Sequence, residues 1–369
     1  MIKLFETFAG VGSQRVALNN INAPYKSVGI LEINRYGLVA YDAIHNDMSQ
    51  AIEKQTDEYM HDILKKVNVG MNFANNKNEL PKKGKALKQL YEAHIRSNNY
   101  GDITLIDEKE LPNMNLLTYS FPCKDISNAG LSKGLDIGSG TKSSLLWEVE
   151  RIIAFHRPKY LLMENVKTLI SKKHFPNFQK WCDVLSQLGY NNYYEVMDAS
   201  NFVVPQHRER VMMVSILKNR DGGFKMPTGV PTKFTLSDFL LSEDDVGDEF
   251  YCSESFKNTL NRAFGSRGKI LDRGKRICPT LLANAGLGGG NMHCLNCNNG
   301  VIRKITPNEY WRLMGFKDEV FRRAKDVGGL SNSKLYERAG RSIAIQMLEQ
   351  IFTNMFIAGG DLERSKQHE

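Results

Sequence analysis

The chain opens on Ile2-Lys3-Leu4-Phe5-Glu6-Thr7-Phe8, which reads as a first strand. It breaks at Ala9-Gly10-Val11-Gly12-Ser13 and continues into a helical run through Val16, Ala17 and Leu18. A strand, a glycine turn and a helix in that order form the unit from which open α/β sheets are built. The glycines let the backbone approach a ligand, and the first amides of the helix can receive its polar groups. The next strand, Ser27-Val28-Gly29-Ile30-Leu31, ends in Glu32. A carboxylate about 20 residues after such a turn is where these sheets take the hydroxyls of a ribose. The dinucleotide fingerprint wants a third glycine, whereas position 15 is Arg. That argues against a pyrophosphate cradle and leaves an adenosine-bearing cofactor open. The plain alternative is a tight turn with an incidental surface glutamate.

The same pattern recurs. Leu116-Leu117-Thr118-Tyr119 reads as a buried strand that Pro122 ends, because proline cannot donate to a sheet ladder. Cys123 then stands at a C-terminal strand edge, where ligands and catalytic groups collect in open α/β sheets. Its thiol can act as a nucleophile if its pKa is lowered, and Lys124 is a nearby cation. The alternative is a cysteine used as a small hydrophobe. A strand over Ile103-Thr104-Leu105-Ile106 is expected behind Asp102. A helix with Leu145, Leu146, Val149, Ile152 and Ile153 on one face stops at Pro158. Tyr160-Leu161-Leu162-Met163 is a further strand, ending in Glu164-Asn165-Val166. Tyr193-Tyr194-Glu195-Val196 is another. Pro205-Gln206-His207-Arg208-Glu209-Arg210 leads into the strand Val211-Met212-Met213-Val214-Ser215-Ile216. Arginines at i and i+2 share one strand face, a way to hold a phosphate or carboxylate.

Charge and cysteine usage narrow the class. A net charge of +8 and a pI near 9.0 suggest an anionic partner, nucleic acid first. The stretch 46–100 interrupts the alternation as a basic insertion carrying Lys65, Lys66, Lys77, Lys82, Lys83, Lys85 and Lys88. It either rests on phosphates or is a solvated charged face. The glycine-, serine- and lysine-rich stretch 130–143 reads as a loop that closes over a polyanion, or as a plain connection. Six scattered cysteines make no disulfide scaffold in a chain of 369 residues. No apolar run reaches the roughly 18 residues of a spanning helix, so a reducing cytoplasm is expected.

Taken in order, these residues resemble the DNA cytosine-5 methyltransferases. The match runs through Phe8-Ala9-Gly10-Val11-Gly12, Glu32, Gly101-Asp102-Ile103, Phe121-Pro122-Cys123, Glu164-Asn165-Val166 and Gln206-His207-Arg208-Glu209-Arg210. It continues through Arg303-Lys304-Ile305-Thr306, Met314-Gly315-Phe316 and Gly340-Arg341-Ser342. Any one piece is weak, whereas the ordered set is specific. The phrasing around Phe5-Glu6-Thr7-Phe8 and Tyr119-Ser120-Phe121 is most like the mollicute and Gram-positive prophage branch, which includes CpG methylases.

The resemblance implies a Rossmann-like, S-adenosylmethionine-dependent α/β domain with a smaller, mostly irregular or β target-recognition domain. By it, 1–217 is the catalytic domain, completed by 337–359, and 218–336 is the recognition domain. The tail is 360–369. It implies that Cys123 adds to C6 of a flipped-out cytosine while Glu164 assists at N3, with Arg208 and Arg210 orienting the base and a phosphate. Phe8, Ala9, Gly10, Gly12, Glu32, Ile33, Asp102, Pro122, Ser342 and Ile343 would line the cofactor site. Lys124, Asn165, Gln206 and Thr280 would serve the substrate DNA. The implied setting is a monomer on double-stranded DNA in a bacterial or phage context, cytoplasmic and nucleoid-associated, with a companion restriction endonuclease as a further partner.

Three positions depart from the family pattern. Lys124 replaces the usual Gln after the cysteine, Arg341 an Asn near the C-terminus, and Ile33 an aromatic residue beside the ribose carboxylate. None makes or breaks a bond. In the recognition region, Arg262, Arg267, Arg273 and Arg276 are candidates for guanine or phosphate contacts, with solvation the default. His293-Cys294-Leu295-Asn296-Cys297 invites a zinc reading, but one Cys-x-x-Cys without a second well-spaced pair does not support it, so no metal is expected. A closing helix over 339–356 should return to the first domain. The rival readings are a tRNA cytosine-5 methyltransferase and a non-catalytic DNA-binding relative. The intact Cys123, Glu164, Arg208 and Arg210 speak against the second.

Overall fold

Strand ends place most candidate groups of the first unit, so the sheet comes first. The structure is a computed structural model that describes residues 1–72, 77–122, 145–262, 270–287, 291–297 and 300–362, with only the backbone of 259–262. It divides into two units. The first holds 1–197, 209–228 and 348–369, and the second 198–208 and 229–347. Expected boundaries at 218 and 337 therefore shift to 228 and 348, and the short segment 198–208 lies in the second unit.

The first unit is built on β1 (Ile2–Thr7), β2 (Tyr25–Leu31), β5 (Leu116–Tyr119), β6 (Tyr160–Val166), β7 (Tyr190–Asp198) and β8 (Glu209–Leu217), in the order β2-β1-β5-β6-β8-β7. A two-residue ribbon of β3 (Met71–Asn72) and β4 (Lys77–Asn78) belongs to the basic insertion. β1 pairs in parallel with β2 and β5, β5 with β6, and β8 runs antiparallel to β6. The order reverses at β1, which makes the carboxyl ends of β1 and β5 the topological switch point where such sheets bind ligands.

Both faces are covered, which is why the strands read as near-continuous apolar runs. Phe5, Leu117, Tyr119, Leu161, Met163, Val211 and Met213 pack on α5 (Leu146–His156) and α6 (Phe175–Gln187). On the other face Ile30 packs with Leu38 and Tyr41 of α2 (Arg35–His45), Leu64 of α3 (Asp57–Lys66) and Leu87 of α4 (Lys85–Arg96). Between β1 and β2 runs α1 (Ser13–Asn20).

Two expectations fail. Residues 103–105 form a turn instead of a strand, because Asp102 draws the chain back on itself. Its Oδ1 accepts from the amide and hydroxyl of Thr104, and its carbonyl from the Leu105 amide. The closing helix is two helices, α10 (Asn332–Arg341) and α11 (Ile345–Ala358), broken at Ser342. The C-terminal part of α11 does belong to the first unit, where Phe356 lies edge-on to Tyr160 with ring centroids 5.5 Å apart.

The second unit contains a small sheet, β11-β10-β9, of β9 (Ile270–Asp272), β10 (Cys294–Asn296) and β11 (Ile302–Lys304). The helices α7 (Glu254–Arg262), α8 (Pro307–Arg312) and α9 (Asp318–Arg322) accompany it with α10. It is more helical than the sequence suggests. Inside it Arg303 and Glu309 form a fully buried bidentate pair at 2.9 and 2.8 Å, beside the capping box that starts α8 at Thr306.

Candidate active site and cofactor turn

At the carboxyl end of β1 the backbone turns through three left-handed residues, Phe8 (φ 56°), Gly10 (φ 58°) and Gly12 (φ 71°). For Phe8 this conformation is strained, and such strain persists where surrounding structure imposes it. The glycines serve different ends. A Cβ on Gly10 would meet nothing nearer than the Phe8 carbonyl at 4.0 Å, so the space there is open. A Cβ on Gly12 would fall 2.3 Å from His45 Nε2 and 2.7 Å from Tyr41 Cε2, so helix α2 closes that side.

Glu32, just past β2, is held against the turn. Its Oε2 accepts from the Gly10 amide at 2.8 Å and its Oε1 from the Asn34 amide at 2.6 Å. Asn99 fixes the neighbourhood: its Oδ1 takes the amides of Glu32 and Gly101, and its Nδ2 donates to the Glu32 carbonyl at 2.9 Å. Burial lowers the His94 pKa to about 4, so its ring is neutral and Nδ1, 3.3 Å from Asn99 Nδ2, can accept. Sequence reading missed Asn99, and nothing in its local pattern marks it. Asp102 is buried, its carboxylate held by Asn68 and Thr104. Ala9 is buried, with its amide on the Leu31 carbonyl. Ile33 is also buried, and its carbonyl takes the Gly70 amide. An open space over Gly10 with a carboxylate at the end of β2 suits an adenosyl group.

The catalytic candidates divide. Cys123 and Lys124 lie outside the described residues, which stop at Pro122. Two residues before Cys123, the Phe121 carbonyl accepts from Asn165 Nδ2 at 3.1 Å, and Asn165 Oδ1 accepts from the Val166 amide. Asn165 is buried and ties the end of β5 to the end of β6. Glu164 sits at the end of β6, with Oε1 3.0 Å from Arg210 Nε, both side chains mostly buried. The pairing follows from register, since Val166 lies opposite Arg210 across the antiparallel ladder.

Arg208 departs from expectation. It precedes β8, so it shares no strand face with Arg210, and it is buried in the second unit. Its Nη2 donates to the carbonyls of Gly340 and Ser342 at 2.9 and 2.8 Å, and its Nη1 to that of Leu281 at 3.4 Å. Gln206 is likewise fully buried. Its Nε2 donates to the Leu313 carbonyl, and its Oε1 accepts from the Leu281 amide.

The Gln206-His207-Arg208 and Pro279-Thr280-Leu281 segments are thereby zipped together. The His207 amide donates to the Cys278 carbonyl and the Cys278 amide to the Pro205 carbonyl, and Thr280 Oγ1 donates to the His207 carbonyl at 2.6 Å. A solvent-open cavity at this seam is lined by His207, Lys275, Arg276, Ile277, Pro279 and Thr280. His207 Nδ1 lies 2.9 Å from Asp198 Oδ2. Burial opposes the charge on Asp198, but His207 and the Ser200 and Arg208 amides hold its carboxyl below the usual range.

Ser342 and Ile343 are buried in the second unit, with the Ser342 hydroxyl donating to the Arg338 carbonyl. Arg341 folds back on its own helix, Nε 3.1 Å from Glu337. Arg262 as a side chain, Arg267 and residues 288–290 lie outside the described residues. Among the described residues no group of three or more His, Cys, Asp or Glu is placed to hold a metal, and no helix is long and apolar enough to cross a membrane.

Comparison with known proteins completes the picture. The family model of C-5 cytosine-specific DNA methylases matches residues 64–356. Type II methyltransferase M2.ScrFI of Lactococcus lactis subsp. cremoris is 38% identical over 96% of this chain and 99% of its own length. Orphan methyltransferase M.SssI of Spiroplasma monobiae is 35% identical over 95% of this chain and 96% of its own. Among solved structures, the Dnmt2 methyltransferase of S. pombe superimposes with a TM-score of 0.66 at 17% identity, covering 96% of this chain and 98% of that one.

Proposed function

The chain belongs to the family of C-5 cytosine-specific DNA methylases, and on that premise we propose how its own residues methylate cytosine in DNA. S-adenosylmethionine is the methyl donor and supplies an electrophilic methyl group. The turn at Gly10 and Gly12, with Phe8, Ala9, Glu32, Ile33, Asp102 and Pro122, would hold it, and Ser342 and Ile343 are assigned to the same task.

C5 of cytosine is too weakly nucleophilic to take a methyl group unaided. The Cys123 thiolate adds to C6 of a base flipped out of the duplex while the protonated carboxyl of Glu164 gives its proton to N3, which makes C5 enamine-like. After C5 takes the methyl group the N3 proton returns to Glu164, the C5 proton leaves to solvent base and the thiolate is expelled. The single observation that carries this assignment is the joining of strand ends. Arg210 holds Glu164, while Asn165 beside it holds the carbonyl two residues ahead of Cys123. Arg210 keeps the carboxylate oriented, and Arg208 braces the backbone of its own unit.

Lys124, Thr280 and the cationic seam cavity are assigned to DNA. The protein is read as a cytoplasmic monomer acting on nucleoid DNA. A companion endonuclease draws its support from the type II designation of the Lactococcus relative.

A duplex carrying 5-fluorocytosine, incubated with cofactor, should form a covalent adduct that Cys123→Ser abolishes. No adduct with the unaltered enzyme would overturn the mechanism. Parallel assays on duplex DNA and tRNA separate the DNA reading from tRNA methylation, and bisulfite sequencing of DNA from expressing cells reads the target sequence.

A further inference from the structure

Glu6 lies inside β1, fully buried, two residues before the strained Phe8. It faces the helix-covered side of the sheet opposite to α5 and α6. Its Oε2 accepts from the Tyr41 hydroxyl at 2.5 Å, while its Oε1 has no hydrogen-bond partner among the described residues. The charged and titratable groups around it come from three elements: Arg15 on α1, Tyr41 and His45 on α2, and Tyr25 on β2. Its register partner on β5, Thr118, carries no charge. Beside this cluster Asp42 on α2 is paired with Arg96 on α4 at 2.7 Å.

The cluster reaches the glycine turn directly. The Tyr41 hydroxyl accepts from Arg15 Nη1 at 3.3 Å, and Arg15 Nη2 donates to the His45 carbonyl at 3.2 Å. His45 Nε2 lies 2.9 Å from the Val11 carbonyl, and Gly12 packs on the rings of both Tyr41 and His45. Arg15, the residue that spoils the dinucleotide fingerprint, is therefore part of the support behind the turn.

We propose that Glu6 is a positioning residue for the cofactor: its ionised carboxylate, acting through Tyr41 with Arg15 and His45, holds the turn at Gly10 and Gly12 in the geometry that receives S-adenosylmethionine. A carboxylate orients the Tyr41 hydroxyl as a donor, which leaves the phenol oxygen free to accept from Arg15. A protonated Glu6 competes for that arrangement. Burial pushes the Glu6 carboxyl up to about 7, against the opposing pull of the Tyr41 hydroxyl and the Arg15 charge, so the switch lies at neutral pH. The proposal rests on the reading of this turn as the cofactor's seat.

The test measures binding of S-adenosylmethionine and of its demethylated product to the full chain by calorimetry from pH 6 to pH 8. Wild type is compared with Glu6→Gln and Tyr41→Phe, and the melting temperature of each is recorded at every pH. If the ionised form binds about tenfold more tightly than the neutral form that Glu6→Gln mimics, the ratio of wild-type to Glu6→Gln affinity rises from about twofold at pH 6 to about ninefold at pH 8. Taking the ratio removes the titration of the ligand's own amino group. Tyr41→Phe should flatten the profile in the same way, and both ligands should respond alike because the effect passes through the turn. A ratio that stays constant with pH, whatever its value, overturns the proposal. Glu32→Ala is the separate control. If it leaves binding unchanged, the seat itself is misassigned. If it weakens binding while the Glu6→Gln ratio stays flat, only the role of Glu6 is wrong.

Discussion

Arg210 Nε stands 3.0 Å from Glu164 Oε1 at the adjoining ends of β8 and β6, both side chains mostly buried. The guanidinium is a rigid, planar donor, so this contact holds one carboxyl oxygen of Glu164 in place.

Arg210→Ala should lower kcat by roughly a hundredfold while leaving cofactor affinity near wild type, because it frees the general-acid carboxyl without touching the turn. Single-turnover methylation of a hemimethylated duplex, alongside cofactor calorimetry, reads the two effects apart. Equal losses in both would contradict the assignment.

Arg208 is expected to behave differently. Its guanidinium serves the carbonyls of Gly340, Ser342 and Leu281, so Arg208→Ala leaves buried acceptors without their donor. A destabilisation of roughly 2–4 kcal/mol follows from those losses, visible as a lower urea midpoint. A fully stable but inactive Arg208→Ala would restore it to the substrate.

Asn165→Ala removes the only side-chain tie between the Phe121 carbonyl and the end of β6 among the described residues. A stability loss of about 1–2 kcal/mol is expected. The rate of adduct formation with 5-fluorocytosine DNA should also fall, since the segment leading to Cys123 loses its anchor. An unchanged adduct rate would show that the segment is held by other means.

Glu6 also sets a pH dependence of stability. In the folded chain its carboxyl titrates at about 7, above the ordinary value of 4.5, so the native state binds more protons between those limits. Stability therefore falls as pH rises from 4.5 to 7. Glu6→Gln stays neutral throughout, so its stability relative to wild type should climb across that window, by roughly 3 kcal/mol at about 1.4 kcal/mol per pH unit. Urea titrations at pH 5 and pH 8 measure the change. A relative stability that does not rise would place the Glu6 carboxyl in the ordinary range.

The chemistry-bearing strand ends were legible in the sequence because they are written locally. Apolar runs of strand length stop at glycine, proline or a carboxylate, and the ordered motifs from Phe8 to Ser342 match one family. Local reading failed where a side chain turned the backbone. Asp102 folds residues 103–105 into a turn although Ile103-Thr104-Leu105-Ile106 has strand composition. Ser342 likewise ends a helix that periodicity alone would carry on to residue 356.

By itself, then, the sequence determined the α/β sheet, the glycine turn with its carboxylate, and the family. Those depend on residue type and spacing along the chain. Only the tertiary structure decided partners. Arg208 and Arg210 stand two residues apart, yet one lies in the ladder beside Glu164 and the other precedes it, among carbonyls over 70 residues distant in sequence. Glu6 reads as an ordinary polar position in a mixed strand until α1 and α2 bring Arg15, Tyr41 and His45 around it. Register and burial choose which charges meet, and neither is encoded within a single segment.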